Sequence, residues 1–304
     1  MFFFSPQESE AIHDTLKTAA EAGHEAETGG KLFTELFEHA HDSNELELPF
    51  VGHIYLPHFD PVQIAGVTFD FSITKHVVFL WVAALVVIVL TSVAARKNIK
   101  SMVPKGIGNL VEVVVVFIRD EIVLPNMGKS GLRYLPYLLT TFFFILTMNL
   151  MGMIPYGSTA TGNVNVTAGL AMIAFIMIQV SAIRAQGFGN YVAHLTGGVH
   201  WTLWPIMIPI EILGLFTKPF ALCIRLFANM TGGHLVIISL IGLIFLFNNI
   251  FITPVPIAFA LGINMLELFV AFLQAYIFTM LTSLFMGLGI QAAHAHEEDV
   301  DHRH

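Results

Sequence analysis

Residues 205–247 read PIMIPIEILGLFTKPFALCIRLFANMTGGHLVIISLIGLIFLF, an apolar run with only four acidic, basic or imidazole side chains. At ~1.5 Å of rise per residue, a helix of this length would measure ~64 Å, about twice the hydrocarbon thickness of a bilayer. Residues 257–293 form a second run, which would measure ~55 Å as a helix. Each run is therefore either two spans with a hidden turn or one long, steeply tilted helix. Because no good turn signal breaks residues 220–247 or 257–286, we predict two long, steeply tilted membrane helices, joined as an antiparallel hairpin at residues 248–254.

The composition of the whole chain agrees with a membrane protein. Of its 304 residues, 55% are hydrophobic and only 12% are charged, and the mean hydropathy is +0.73. Soluble domains carry about twice that charged fraction. These values exclude an ordinary soluble protein, a disordered chain and a nucleic-acid binder. The single cysteine, Cys223, excludes a disulfide framework and a cysteine-based metal site.

Three shorter apolar segments complete the prediction of an all-α polytopic membrane protein with five spans. These segments are residues 76–95, 134–155 and 167–183. Residues 107–124 mix apolar and charged side chains, which predicts an amphipathic helix on the membrane surface rather than a span. Residues 156–167 and 186–204 are rich in glycine and polar side chains, and we predict loops there.

The charges outside the spans predict the orientation of the chain. Residues 96–105 hold four basic residues and no acidic residue, which places the end of the first span in the cytoplasm by the positive-inside rule. Residues 1–75, with 13 acidic and three basic residues, then form an extramembrane tail outside the cell membrane. Within this tail, 7–47 has helical composition and 48–71 suggests short strands or irregular structure. Five spans then put a C-terminal tail, residues 294–304, in the cytoplasm.

Charged side chains are rare in the membrane region, where residues 131–290 contain only six. Three of these six, Glu211, Lys218 and Arg225, follow one another at intervals of seven residues. Seven residues turn a helix to within ~20° of two full turns, so the three side chains lie along one face. Asn229 stands one turn after Arg225 on that face.

The last long helix carries a matching polar set. Glu267 and Gln274 are also seven residues apart, and Asn264 precedes Glu267 by about one turn. In an antiparallel pair of helices, facing residues have a nearly constant sum of residue numbers. With the turn centred near residue 250, this rule places Arg225 beside Gln274 and His234 beside Glu267.

These side chains suit proton transport across a membrane. A charge in the bilayer costs ~2.5–3.5 kcal/mol on insertion scales, so intramembrane charges usually face a partner or a water-filled cavity. Arginine does not deprotonate in proteins, and Arg225 is therefore a fixed positive charge. The imidazole of His234 and the carboxyl group of Glu267 can exchange protons and form a candidate proton path. The fixed cation would repel a passing proton and attract a mobile carboxylate.

Several motifs resemble one family at this point. Residues 215–234, LFTKPFALCIRLFANMTGGH, are similar to the signature of subunit a of rotary F-type ATP synthases, and 273–278, LQAYIF, to its last-helix motif. Residues 149–155 and 163–167 resemble the end of its second span and the start of its third. The resemblance extends over residues 72–290 and leaves out the acidic N-terminal tail.

The resemblance implies a stator subunit in a bacterial inner membrane, beside a rotating ring of c subunits. Two half-channels would lead protons to and from a carboxylate on each c subunit, and this flow would drive ring rotation and ATP synthesis. The implied partners are the c-ring, b-type peripheral stalk subunits, other synthase subunits and membrane lipid. Since the chain has no phosphate-binding loop or hydrolase motif, we expect no enzymatic activity, no nucleotide site and no cofactor.

The resemblance also implies roles for individual residues. Arg225 matches the essential arginine that keeps the half-channels from short-circuiting, and Gln274 matches its polar neighbour. His234 and Glu267 match the two titratable positions of the half-channel that admits protons from outside, which we call the inlet path. Some bacterial members carry Glu first and His second, so the order here is reversed, as in mitochondrial members.

Further polar residues match weaker positions of the family. Glu211 and Lys218 match positions nearer the cytoplasm and are candidates for the path by which protons leave, the outlet path. Many bacterial members have Asp where this chain has Asn163, so Asn163 is expected to hydrogen-bond water rather than to relay protons. The other candidates for the proton path are Asn229, Asn264 and Asn165.

Structural alternatives stay open for each candidate. Arg225 has an alternative as a structural arginine paired with a carboxylate, and the His234–Glu267 pair as polar glue between two helices. The amides of Gln274 and Asn229 can simply satisfy a neighbour. The charged side chains of Glu211 and Lys218 can snorkel to the membrane surface.

Other function classes also remain to be weighed. A stand-alone transporter would be expected to show inverted repeats and broken helices, and the sequence shows neither. A membrane metalloenzyme would need histidines facing each other on spans, where only His234 qualifies. The His-x-His pairs in the tails, at 39/41, 294/296 and 302/304, have no partner set at zinc spacing. Na⁺ rather than H⁺ as the transported ion stays open, because the c subunit of the family mainly chooses the ion.

Overall fold

The computed structural model describes residues 45–48, 52–55, 62–64, 67–69, 74–100, 106–154, 160–195, 202, 204–247 and 253–301. Within these residues, five helices are long and apolar enough to cross a membrane. Their apolar stretches are Lys75–Lys97, Lys129–Gly152, Val164–Gln186, Trp204–Ile244 and Pro254–Gln291. The predicted all-α membrane architecture with five spans, the last two much longer than the others, is confirmed.

Two short antiparallel hairpins precede the first span. Strand β1 (Glu45–Leu48) pairs with β2 (Gly52–Tyr55), and β3 (Val62–Ile64) pairs with β4 (Val67–Phe69). The prediction of short strands in this part is confirmed. The composition of residues 7–47 favours a helix. This expectation is wrong for 45–47, where glutamate and leucine alternate with the period of a strand. Residues 7–44 lie outside the described part of the chain.

The helices follow in chain order. They are α1 (Lys75–Lys100), α2 (Ile107–Phe117), α3 (Leu124–Met127), α4 (Leu135–Gly152), α5 (Val164–Gln186), α6 (Phe188–Leu195), α7 (Trp204–Phe247) and α8 (Pro254–Asp301). A six-residue π-helical segment, Ile118–Val123, joins α2 to α3. Turns of 3₁₀ helix at Lys129–Tyr134 and Ala160–Gly162 lead into α4 and α5.

The two parts of the predicted surface helix differ in burial: several large apolar side chains of α2 are exposed, whereas protein covers the apolar side chains of the π-helical segment. In the π-helical segment Ile118 and Ile122 are fully buried, whereas Arg119 is exposed. The hydroxyl group of Ser283 on α8 donates to the carbonyl oxygen of Ile122 at 3.4 Å. The segment therefore lies against the C-terminal half of α8, a contact that its amphipathic pattern alone could not distinguish from a contact with lipid.

Small residues allow this close packing near the end of α8. A Cβ atom at Gly287 would collide with the carbonyl oxygen of Asn126, and one at Gly289 would lie 2.7 Å from the Cβ of Ala182. The side-chain amide of Gln186 donates to the carbonyl oxygen of Gly289 at 2.7 Å. Helices α3 and α5 thus both contact α8 at glycines, which have no side chain.

Helix α6 corrects one prediction. Residues 186–204 were predicted as a loop, which is wrong for 188–195. Gly187, at φ +79°, ends α5, and the hydroxyl group of Tyr191 on α6 donates to Oε1 of Gln179 on α5 at 2.6 Å. This tertiary hydrogen bond stabilises a short helix that its glycine and asparagine disfavour locally.

The two long helices are continuous, as predicted. Helix α7 has 44 residues and α8 has 48. Pro209 and Pro219 lie within α7 without ending it. The backbone of α8 continues to Asp301, eight residues beyond the predicted end of the last span at 293. Residues 232–267 form one compact unit, and the other described residues belong to a second.

Candidate functional site

The end of the α7–α8 hairpin brings together His234 and Glu267. The Nδ1 atom of His234 lies 3.7 Å from Oε1 of Glu267. The side chain of Glu267 is 3% exposed and that of His234 is 30% exposed. The predicted pairing of these two residues across the helices is confirmed. An acid that is shielded from solvent and an imidazole that is partly accessible can pass a proton between solvent and protein.

Gly233 makes room for the carboxyl group of Glu267. A Cβ atom at Gly233 would lie 2.9 Å from Oε1 and 3.1 Å from the carboxyl carbon of Glu267. Among the described residues, Oε1 of Glu267 has no hydrogen-bond partner. From the sequence, the pair Gly232–Gly233 could either permit close approach of another helix or serve core packing alone. The contact of Gly233 with Glu267 agrees with the first possibility, whereas nothing lies within 4 Å of a Cβ atom at Gly232.

We expect Gly233→Ala to slow the predicted proton transport about three- to tenfold, because the new methyl group displaces a carboxyl group of the predicted proton path by a few tenths of an ångström. ATP-driven acidification of inverted membrane vesicles measures this rate. Gly232→Ala is the matched control, since a Cβ atom at Gly232 meets nothing within 4 Å. Equal rates for the two variants would contradict the assignment.

In the second unit, α7 has a covered face and an uncovered one. Leu222, Leu226 and Met230 are at most 1% exposed and form the covered face. Arg225 and Ile224 are exposed on the other. Within the described part of the chain, Arg225 has no hydrogen bond and no ion pair. The guanidinium group of Arg225 is therefore available to a group from another molecule.

Gln274 is one of several buried polar residues of α8, with 1% of its surface exposed. Its Oε1 accepts a hydrogen bond from Nδ2 of Asn229 at 2.8 Å. We predicted Arg225 as the neighbour of Gln274, whereas the hydrogen bond goes to Asn229, one turn further along α7. The Nε2 atom of Gln274 is buried and has no partner among the described residues.

The outlet candidates Glu211 and Lys218 have separate surroundings. The ammonium group of Lys218 lies over the ring of Phe285 on α8, 5.0 Å from its centroid. Two effects raise the pKa of the Tyr191 phenol on α6. Burial is the larger effect, and the negative charge of Glu211 is the smaller one. Tyr191 is thus a polar neighbour of an outlet candidate, which the loop prediction for 186–204 concealed.

The three remaining asparagines among the candidates differ in their hydrogen bonds and exposure. The side chain of Asn163 caps α5, since its Oδ1 accepts a hydrogen bond from the backbone N–H of Asn165 at 2.9 Å. A capping role of this kind is structural. Asn165 and Asn264 are exposed.

A buried polar contact at α4 was missed by sequence reasoning. Asn149 is fully buried; its Nδ2 donates to the carbonyl oxygen of Ala271 at 3.2 Å, and its Oδ1 accepts from the hydroxyl of Thr161 at 2.9 Å. An asparagine inside an apolar span was the available signal. This contact fixes α8 one turn before Gln274.

Comparison with known proteins identifies relatives over most of the chain. Residues 77–287 match the family described as ATP synthase A chain. "ATP synthase subunit a" of Chloroherpeton thalassium is 50% identical over 273 residues, which cover 89% of this chain and 79% of that protein. "ATP synthase subunit a 2" of Chlorobaculum tepidum is 48% identical over 302 residues, covering 95% and 84%. "ATP synthase subunit a" of Myxococcus xanthus is 52% identical over 237 residues, covering 77% of each chain.

Proposed function

Because this chain belongs to the ATP synthase A chain family and is a non-catalytic, multi-pass membrane subunit of a bacterial ATP synthase, we propose that it carries protons to and from a ring of c subunits. Two half-channels in this subunit deliver protons to the carboxylates of the ring and remove them again. Proton flow is thereby coupled to ring rotation and ATP synthesis.

The observation that carries the proposal is the exposed Arg225. An arginine inside a membrane pairs with a carboxylate or a carbonyl group or faces a water-filled cavity, and none of the described residues supplies such a partner to Arg225. A c-ring carboxylate passing this face of α7 is a partner of the right charge. The fixed cation releases the proton from that carboxylate and separates the inlet path from the outlet path.

The inlet path uses His234 and Glu267. Their separation of 3.7 Å and the low exposure of Glu267 support transfer of a proton from an accessible imidazole to a shielded carboxyl group. Gln274 and Asn229 add a hydrogen-bonded amide pair to this path. Asn264 on α8 and Asn165 on α5 are exposed side chains and are further candidates for the proton path.

The outlet path uses Glu211 and Lys218, with the cytoplasm as its destination. The positive charges at residues 96–105 support this orientation, with the N-terminus outside and the C-terminus in the cytoplasm of a bacterial inner membrane. Besides the c-ring, the proposed partners are b-type peripheral stalk subunits and lipid.

Proton transport by the assembled synthase tests the proposal directly. Inverted vesicles that carry the complex are expected to acidify on addition of ATP in buffer free of Na⁺, and a protonophore is expected to abolish the acidification. ATP-driven uptake of Na⁺ that a protonophore does not abolish, in place of acidification, would replace H⁺ by Na⁺ as the transported ion. ATP-independent transport by this chain alone would instead favour the stand-alone transporter.

A further inference from the structure

Three buried polar side-chain atoms have no hydrogen-bond partner in the part of the chain that the structure describes. They are Oε1 of Glu267, Nε2 of Gln274 and Oγ1 of Thr231. Buried polar atoms of folded proteins nearly always have a partner, either protein or ordered water. Two of these three atoms belong to residues of the proposed inlet path, whereas Thr231 has no assigned role.

The free hydroxyl group of Thr231 departs from the behaviour of other helical hydroxyl groups in this chain. Threonine and serine inside a helix commonly donate to the carbonyl group three or four residues earlier. Thr141, Thr217, Thr279 and Thr282 all do so, at 2.7–3.0 Å. The Oγ1 atom of Thr231 is buried and does not form this bond.

We propose that the hydroxyl group of Thr231 belongs to the inlet path and holds a water molecule through which the transported proton passes. Thr231 precedes His234, a residue that the path already uses, by three positions on α7, and side chains three positions apart are neighbours on a helix surface. A hydroxyl group both donates and accepts hydrogen bonds, so it can take part in either direction of proton flow. The inference rests on the proposed function and extends it to one further residue.

Removal of the hydroxyl group tests the role of Thr231. Thr231→Val keeps the shape of the side chain, and we expect it to slow ATP-driven acidification and ATP synthesis about three- to tenfold, the effect of one lost hydrogen bond. Thr231→Ser keeps a hydroxyl group at this position and is expected to keep the normal rate. Both rates are normalised to the amount of intact complex in the same vesicles.

Thr282→Val is the matched control. Thr282 is buried on α8, and its hydroxyl group already donates to the carbonyl oxygen of Phe278 at 2.7 Å. The same chemical change there is expected to leave the rate unaltered. Thr231→Ala is measured in parallel, so that a hydroxyl-free variant remains if valine prevents assembly.

The outcomes separate this inference from the function on which it rests. A normal rate in the hydroxyl-free variants of Thr231, or an equal loss in Thr282→Val, would overturn the role of Thr231. If Arg225→Ala still abolishes coupled activity in the same vesicles, the proposed function survives that result. If Arg225→Ala pumps normally, the proposed function itself fails.

Discussion

Arg225→Ala is expected to abolish ATP-driven proton pumping and ATP synthesis in complexes that assemble normally. In the proposed function the exposed guanidinium group is the fixed charge that a c-ring carboxylate meets, and it forms no ion pair with the described residues of this chain. An intramembrane counter-charge is worth several kcal/mol, and ~1.4 kcal/mol corresponds to tenfold in rate. Coupled rates should therefore fall by about two orders of magnitude or more.

Passive proton leak distinguishes the barrier role of Arg225 from a role in assembly. Vesicles are measured for acidification, ATP synthesis and proton leak together, with the amount of complex as reference. Arg184→Ala is a suitable control, because Arg184 is also exposed but stands at the end of α5. Near-normal coupled pumping by Arg225→Ala would reject its assignment.

Glu267→Gln is expected to reduce coupled proton transport about 100-fold while the hairpin stays folded. Glutamine has nearly the same shape as glutamate, so the packing against Gly233 is kept. It cannot take up and release a proton, and positioned proton transfer commonly contributes 10²–10⁴-fold to a rate. ATP-driven acidification and ATP synthesis in vesicles measure the loss.

Exchanging the two titratable groups tests whether the pair acts as a unit. The double variant His234→Glu with Glu267→His keeps one acid beside one imidazole, the order that the resemblance implies for some bacterial members. We expect it to recover much of the activity that His234→Glu alone loses. If Glu267→Gln pumps normally, Glu267 serves as polar glue between the helices and not as a proton carrier.

Local sequence could not predict the π-helical segment or helix α6. The π-helical segment needs a shift in backbone hydrogen bonding that leaves no periodic pattern, and it contacts Ser283, 161 residues away from Ile122. Helix α6 depends on the hydrogen bond from Tyr191 to Gln179 on another helix. Both features are consequences of tertiary contacts.

The sequence by itself determined the spans, the two undivided long helices and the pairing of His234 with Glu267, because hydropathy, helix rise and antiparallel register are properties of residue order. Only the tertiary structure decided that Gln274 bonds Asn229, that Gly233 seats the carboxyl group and that the hydroxyl of Thr231 is unpaired. Register places residues to within about one helical turn, whereas a hydrogen bond forms only at about 3 Å and in one direction, which side-chain packing sets.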